Sequence, residues 1–90
     1  MVLYRKRTRG LTEHEVAGEA LLLDVDGGQI HQLNATATYI WRECDQVESP
    51  EELVEEFVGR FSVEYKEALR TVLETLNSVQ QLNLITPAFN

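Results

Sequence analysis

The stretch Gln29-Ile30-His31-Gln32-Leu33-Asn34-Ala35-Thr36-Ala37-Thr38-Tyr39-Ile40-Trp41 constrains the fold more than any other part of the chain. A short extended run stops at Asn34, whose side-chain oxygen can accept a backbone N–H that lacks a partner at a helix start. Directly afterwards Ala37, Ile40, Trp41 and Cys44 recur at spacings of three and four, which places them on one side of a helix. An extended segment therefore passes straight into an amphipathic helix, and Trp41 is expected to be the largest single piece of the core.

The upstream sequence supplies partners for that extended segment. Glu19 to Val25 reads as a strand, and Asp26-Gly27-Gly28 has the Asp-Gly chemistry of a tight hairpin, since glycine reaches positive φ without a Cβ clash. Within this strand Leu21, Leu23 and Val25 share one face and Ala20, Leu22 and Asp24 the other, and one face is buried. Leu11 to Val16 alternates weakly, and Ala17-Gly18 turns it into the stronger strand, which gives a three-stranded meander.

Downstream the pattern is helical. Ser49-Pro50-Glu51-Glu52 is a start signal: Ser49 caps, Pro50 takes the first position where its missing N–H costs nothing, and Glu52 completes a capping box. This helix is expected to run to about Gly59, burying Leu53, Val54, Phe57 and Val58 and turning Glu51, Glu52, Glu55 and Glu56 to solvent. After a corner at Phe61-Ser62, the longest helix spans about Val63 to Gln81, with Tyr65, Leu69, Val72, Leu73, Leu76 and Val79 at helical spacing. So short a connection makes the two a helix-turn-helix-like pair. Leu84-Ile85 adds a brief strand or an apolar plug. The expected fold is α+β, a three-stranded antiparallel meander followed by three helices in a winged helix-turn-helix-like arrangement.

Charge narrows the function. Arg5, Lys6, Arg7 and Arg9 form a basic arm within residues 1–10, read as a frayed terminus or an edge strand; from Leu11 onward four basic residues face fifteen acidic ones, a balance of −11. Affinity for nucleic acid comes largely from Lys and Arg neutralising phosphates, so a body this acidic disfavours it. No apolar run approaches the ~18 residues of a membrane span, and nothing resembles a secretory signal. A cytoplasmic protein with no membrane contact is the expectation.

Groups for catalysis do not converge. His14 and His31 stand alone, and Cys44 reads as a small core residue. Asp24-Val25-Asp26-Gly27 lacks the later ligands and closing glutamate of a calcium loop, so it is a hairpin turn. Gly27-Gly28 is too short to cradle a phosphate, and Asn34-Ala35-Thr36 matches a glycosylation sequon only by accident, its asparagine being used as a cap. No cofactor, metal or intrinsic enzymatic activity is expected. Binding remains, and the strand at residues 29–33 would have one edge paired and one free, which is either an aggregation hazard or a docking site.

The whole pattern resembles the PqqD-like family, also called the RiPP recognition element. The matching residues are Leu21, Leu22, Leu23, Asp24, Gly28, Ile30, Leu33, Asn34, Ala35, Thr36, Ala37, Ile40, Trp41 and Cys44-Asp45. They continue through Ser49, Glu52-Leu53, Phe61-Ser62-Val63, Ala68 and Val72 to Leu76 and Leu82. The resemblance implies a peptide-binding domain over residues 11–86, with the basic arm before it and a tail at 87–90. It implies a non-catalytic chaperone that holds the leader segment of a ribosomally made precursor peptide as an extra strand and presents it to a modifying enzyme, of the radical SAM type or similar. By that resemblance the strand wall is Ile30, His31, Gln32 and Leu33, and the helix wall is Lys66, Arg70, Leu73 and Asn77. Lys66 and Arg70 are the only basic residues on their helix and can either pair with acidic leader residues or support Glu67 and Glu74 nearby. Two alternatives stand beside this reading: a winged-helix DNA-binding protein, and a structural module forming a homodimer through the same strand edge.

Overall fold

The computed structural model describes residues 1–88. In chain order its elements are β1 (Tyr4–Lys6), β2 (Leu11–Val16), β3 (Glu19–Asp24), β4 (Gln29–Leu33), α1 (Ala35–Glu43), α2 (Pro50–Phe61), α3 (Tyr65–Gln81) and β5 (Ile85–Pro87). The fold is α+β: β2, β3 and β4 form an antiparallel meander, and three helices follow it. The expected three strands are thus β2 to β4. The basic arm contributes a further strand, with Tyr4, Arg5 and Lys6 opposite Pro87, Thr86 and Ile85 in an antiparallel two-stranded sheet. The tail assigned to residues 87–90 begins inside this sheet, at Pro87, and ends outside the described residues.

Local chemistry accounts for the turns. Ala17 and Gly18 hold φ of 54° and 81°, the two positive values that a two-residue type I′ hairpin turn requires. Between β3 and β4 the loop spans Val25 to Gly28, and Gly28 takes φ of 65°. Gly27 N–H donates to Asp24 Oδ1 at 2.9 Å, so the aspartate folds the turn back on itself.

Register shows which sheet face is buried. Ala20, Leu22 and Asp24 lie inward, opposite Glu15, Glu13 and Leu11 of β2 and Leu33, His31 and Gln29 of β4. Leu21 and Leu23 are only half-buried on the outer face, and Val25 at its end is 71% exposed. Helix α1 packs against β3 and β4, and its Arg42 holds Glu13 and Glu15 of β2. Asn34 caps α1 by accepting the Ala37 N–H at 2.8 Å, as its position in the sequence predicts.

Helix α2 ends at Phe61, two residues beyond the expected end at Gly59, because Ser62 takes the left-handed conformation and its N–H closes on Val58 O. The following helix consequently starts at Tyr65 rather than Val63. Ser49 Oγ accepts the Glu52 N–H, but the Glu52 carboxylate returns to the Glu48 N–H, one residue upstream of the expected capping-box partner. Along α3 the buried stripe is Ala68, Val72, Leu76 and Val79, with Leu69 partly covered. Tyr65 and Leu73, which share the apolar spacing, are about half exposed.

The end of α3 builds the centre of the core. Asn83 at φ 61° allows Leu84 N–H to bond Val79 O at 2.9 Å and Asn83 N–H to bond Gln80 O at 3.0 Å, the paired bonds of a Schellman motif. Leu84 is thereby driven fully inside, beside Val79. Its carbonyl accepts from Trp41 Nε1 at 3.1 Å and from Arg7 N–H at 3.0 Å, tying α1 and the N-terminal strand to the end of α3. Cys44 is buried in the same core, and burial pushes its thiol up to about 12, as befits a packing residue.

Arg7 also crosses to the meander. Its two terminal nitrogens donate to the two carboxylate oxygens of Asp24, each at 3.0 Å. Together with the Gly27 N–H, this holds the Asp24 carboxyl at about 2, below its ordinary 3.8. A carboxylate with a depressed folded pKa contributes stability that is present above its unfolded pKa and is lost as pH falls toward the folded one. Asp24→Asn should therefore lower the melting temperature at neutral pH and flatten its fall between about pH 4 and 2. Thermal denaturation followed by circular dichroism across that range, on both proteins, checks this. An unchanged acid slope would mean that the Arg7–Asp24 pair does not distinguish folded from unfolded chain.

Candidate functional site

Which backbone groups of β4 remain available follows from the hydrogen-bond alternation of antiparallel strands. Val25 N–H donates to Gly10 O at 2.9 Å, which extends the β2–β3 ladder and assigns Leu21, Leu23 and Val25 to the β2 side. Ala20, Leu22 and Asp24 then bond toward β4, and by register Leu33, His31 and Gln29 bond back. Ile30 and Gln32 are left with N–H and C=O groups pointing away from β3. The strand order β2-β3-β4 places no further strand beside them among the described residues.

Thr38 closes this ladder at the helix end. Its hydroxyl accepts the Ala20 N–H at 2.9 Å and donates to Leu33 O at 3.0 Å, so a buried side chain is inserted where β3 and β4 diverge. This residue fixes how β4 meets α1, and sequence reading did not single it out. A threonine on the inner side of a first helical turn has no spacing rule that would mark it as a strand bridge.

The expected site residues fall into distinct environments. Ile30 is 69% exposed on the outer face, and Gln32 shares that face with its Nε2 donating to Glu19 at 3.3 Å. His31 is half-buried on the inner face, where its Nε2 is buried with no hydrogen-bond partner. Leu33 is 7% exposed and belongs to the core, so its side chain supports the edge from beneath. Lys66, Arg70 and Asn77 are exposed, and Leu73 is 47% exposed on the same flank of α3.

Neither Lys66 nor Arg70 has a carboxylate within ion-pair distance among the described residues; the cations that do are the amino terminus, Lys6, Arg7 and Arg42. A hollow of about 270 Å³ is lined by Glu64, Lys66, Glu67 and Arg70. Strand β4 packs on β3 and α1, while α3 packs on α2, α1 and β5. The two expected walls are thus joined through α1 rather than pressed against each other.

A separate cleft of about 460 Å³ opens between the β2–β3 turn, α1 and α2, lined by residues that include Tyr39, Arg42, Arg60 and Phe61. Arg42 is engaged by Glu13 and Glu15 there, and Tyr39 stacks edge-on against Phe57 and Phe61. None of the expected binding residues lines it. Groups of three or more His, Cys, Asp or Glu able to hold a metal are absent among the described residues, and no helix of these residues is long and apolar enough to cross a membrane.

Comparison with known proteins gives two kinds of match. Residues 19–85 match the family described as coenzyme PQQ synthesis protein D (PqqD). No curated protein matches the chain. Among solved structures, lasso peptide synthetase B1 complexed with the leader peptide is similar at 23% identity and a TM-score of 0.79, over 96% of this chain and 100% of that one. TbiB1 in complex with the TbiA(beta) leader peptide is similar at 21% identity and a TM-score of 0.72, over 94% of each chain.

Proposed function

Since the chain belongs to the PqqD family, its matched segment running from β3 to the first residue of β5, we propose that it captures the leader segment of a ribosomally synthesised precursor peptide and presents it to a modifying enzyme. The observation that carries this reading is the unpaired edge of β4, where Ile30 and Gln32 offer backbone donors and acceptors outward. Addition of an extended peptide to such an edge gives affinity through the main chain for any sequence, and pockets for alternate side chains give selectivity. Two solved structures similar to this one are complexes with leader peptides, which agrees with that use of the fold.

The chain acts as a binding partner and not as a catalyst; the chemistry belongs to the enzyme that receives the peptide, of the radical SAM type or similar. Ile30, His31, Gln32 and Leu33 form the strand side of the site. Lys66, Arg70, Leu73 and Asn77 form the helix side, where two unpaired cations on an acidic body favour a leader with carboxylates at matching positions.

Titration with peptides from short reading frames encoded beside this one, followed by amide NMR shifts, tests the reading. Localised shifts at residues 29–33 and 66–77 on adding one of them are expected. The double change Arg70→Glu and Leu73→Lys, on exposed positions, should keep the melting temperature within a few degrees while weakening that peptide about tenfold or more. Shifts confined to the cleft at Tyr39 and Phe61, or a double variant that binds as well as the parent, would overturn the assignment.

A further inference from the structure

Resting on the peptide-capture reading, a second feature of the sheet bears on which peptides are taken. Among the described residues the helix packed on β3 and β4 is α1, on the inner face; from register the outer face presents Thr12, Leu23 and Ile30 in one row and His14, Leu21 and Gln32 in the next. Ile30 and Val25 are about 70% exposed there, while Leu21 and Leu23 are half-buried. At the far end a hollow of about 310 Å³ is lined by Val16, Ala17, Glu19, Leu21 and Gln32. An apolar strip thus runs up to the free edge and ends at Ile30.

Strand geometry specifies what would cover it. The residues of β4 whose backbone points outward are Ile30 and Gln32, and these same residues have their side chains on the outer face. A strand added to the edge places the residue beside Ile30 on that face as well, whichever way the strand runs. Its neighbours there are Ile30 and, behind it, Leu23. Such side-by-side pairs carry much of the side-chain selectivity of a sheet.

We propose that Ile30, backed by Leu23, selects an apolar side chain at the one peptide position paired with it on the outer face, so that the bound peptide is read on both faces of the sheet rather than only on the inner, helix-covered side. The occupant of this end of the strip is the peptide's own side chain, which shields surface that the free protein leaves in water. The selectivity is that of a cross-strand pair, about two- to fivefold between an apolar residue and alanine.

The test is a parallel selection of displayed random twelve-residue peptides on the full chain and on Ile30→Lys, a change at an exposed position whose folding is checked by circular dichroism. On the parent, one position of the enriched consensus should be aliphatic or aromatic. On Ile30→Lys that position alone should change to Asp or Glu, with the remainder of the consensus retained. An identical consensus on both proteins would overturn the pairing with Ile30 while leaving peptide capture intact. Failure of both proteins to enrich any peptide would overturn peptide capture, and this inference with it.

Discussion

Trp41→Ala is expected to leave the protein largely unfolded under conditions where the parent is fully folded. The indole is 4% exposed, it fills the space between α1 and the end of α3, and its N–H is the bond that joins α1 to Leu84 O. Truncating a buried tryptophan to alanine costs about 3–5 kcal/mol. Domains have about 5–15 kcal/mol in total, and a chain of this size sits toward the lower end. Lys6, whose ammonium stands 5.2 Å from the ring centroid and 3.9 Å from Asp45, would lose one of its two partners. Because Trp41 is the sole tryptophan, the measurement is urea unfolding by far-ultraviolet circular dichroism rather than by fluorescence. Trp41→Phe keeps most of the ring volume and loses the hydrogen bond, so its midpoint should fall between the two. A Trp41→Ala midpoint equal to the parent's would mean that the core is organised elsewhere.

How much of this was legible beforehand depends on whether a feature is local. The Asn34 and Ser49 caps, the Ala17-Gly18 turn and the stripe of α2 each follow from residues within a few positions, and the structure has them. The end of α2 and the start of α3 moved by two residues because Ser62, not Gly59, takes the left-handed conformation, and serine gives little sequence signal for it. The pairing of residues 4–6 with 85–87 was not readable at all, since strands of three residues at opposite ends of a chain carry no local mark of each other.

The face of β3 shows the same limit. Alternation separated Leu21, Leu23 and Val25 from Ala20, Leu22 and Asp24, yet only the inward-facing Arg7–Asp24 pair and the packing of α1 decide that the second set is buried. A buried aspartate at the end of a face it shares with the buried Ala20 and Leu22 contradicts the simplest reading of hydrophobicity, and it is tolerated because three donors reach its two oxygens. In the candidate site, the exposure of Ile30 and the burial of Leu33 follow from strand alternation. The lack of ion-pair partners for Lys66 and Arg70 does not, because long side chains on an acidic helix could have reached several carboxylates.

Two proline substitutions one residue apart should separate folding from recognition. His31 N–H points into the ladder with β3, so His31→Pro removes a bond inside the sheet and is expected to cost about 1–3 kcal/mol. Gln32 N–H points to the open edge, where proline is tolerated in a sheet, so Gln32→Pro should unfold at nearly the parent's urea midpoint. Its effect falls instead on any strand added there: one main-chain bond is lost and the ring stands where the incoming backbone must lie. For a peptide that shifts residues 29–33 of the parent, calorimetric titration should give binding at least about tenfold weaker to Gln32→Pro. Gln32→Ala, which keeps the N–H and removes only the side chain, should bind within about threefold of the parent. If Gln32→Pro binds as the parent does while His31→Pro is the variant that fails to bind without losing stability, the outward set of backbone groups is 29, 31 and 33. The side chains read on the outer face would then be on strands paired in the opposite phase.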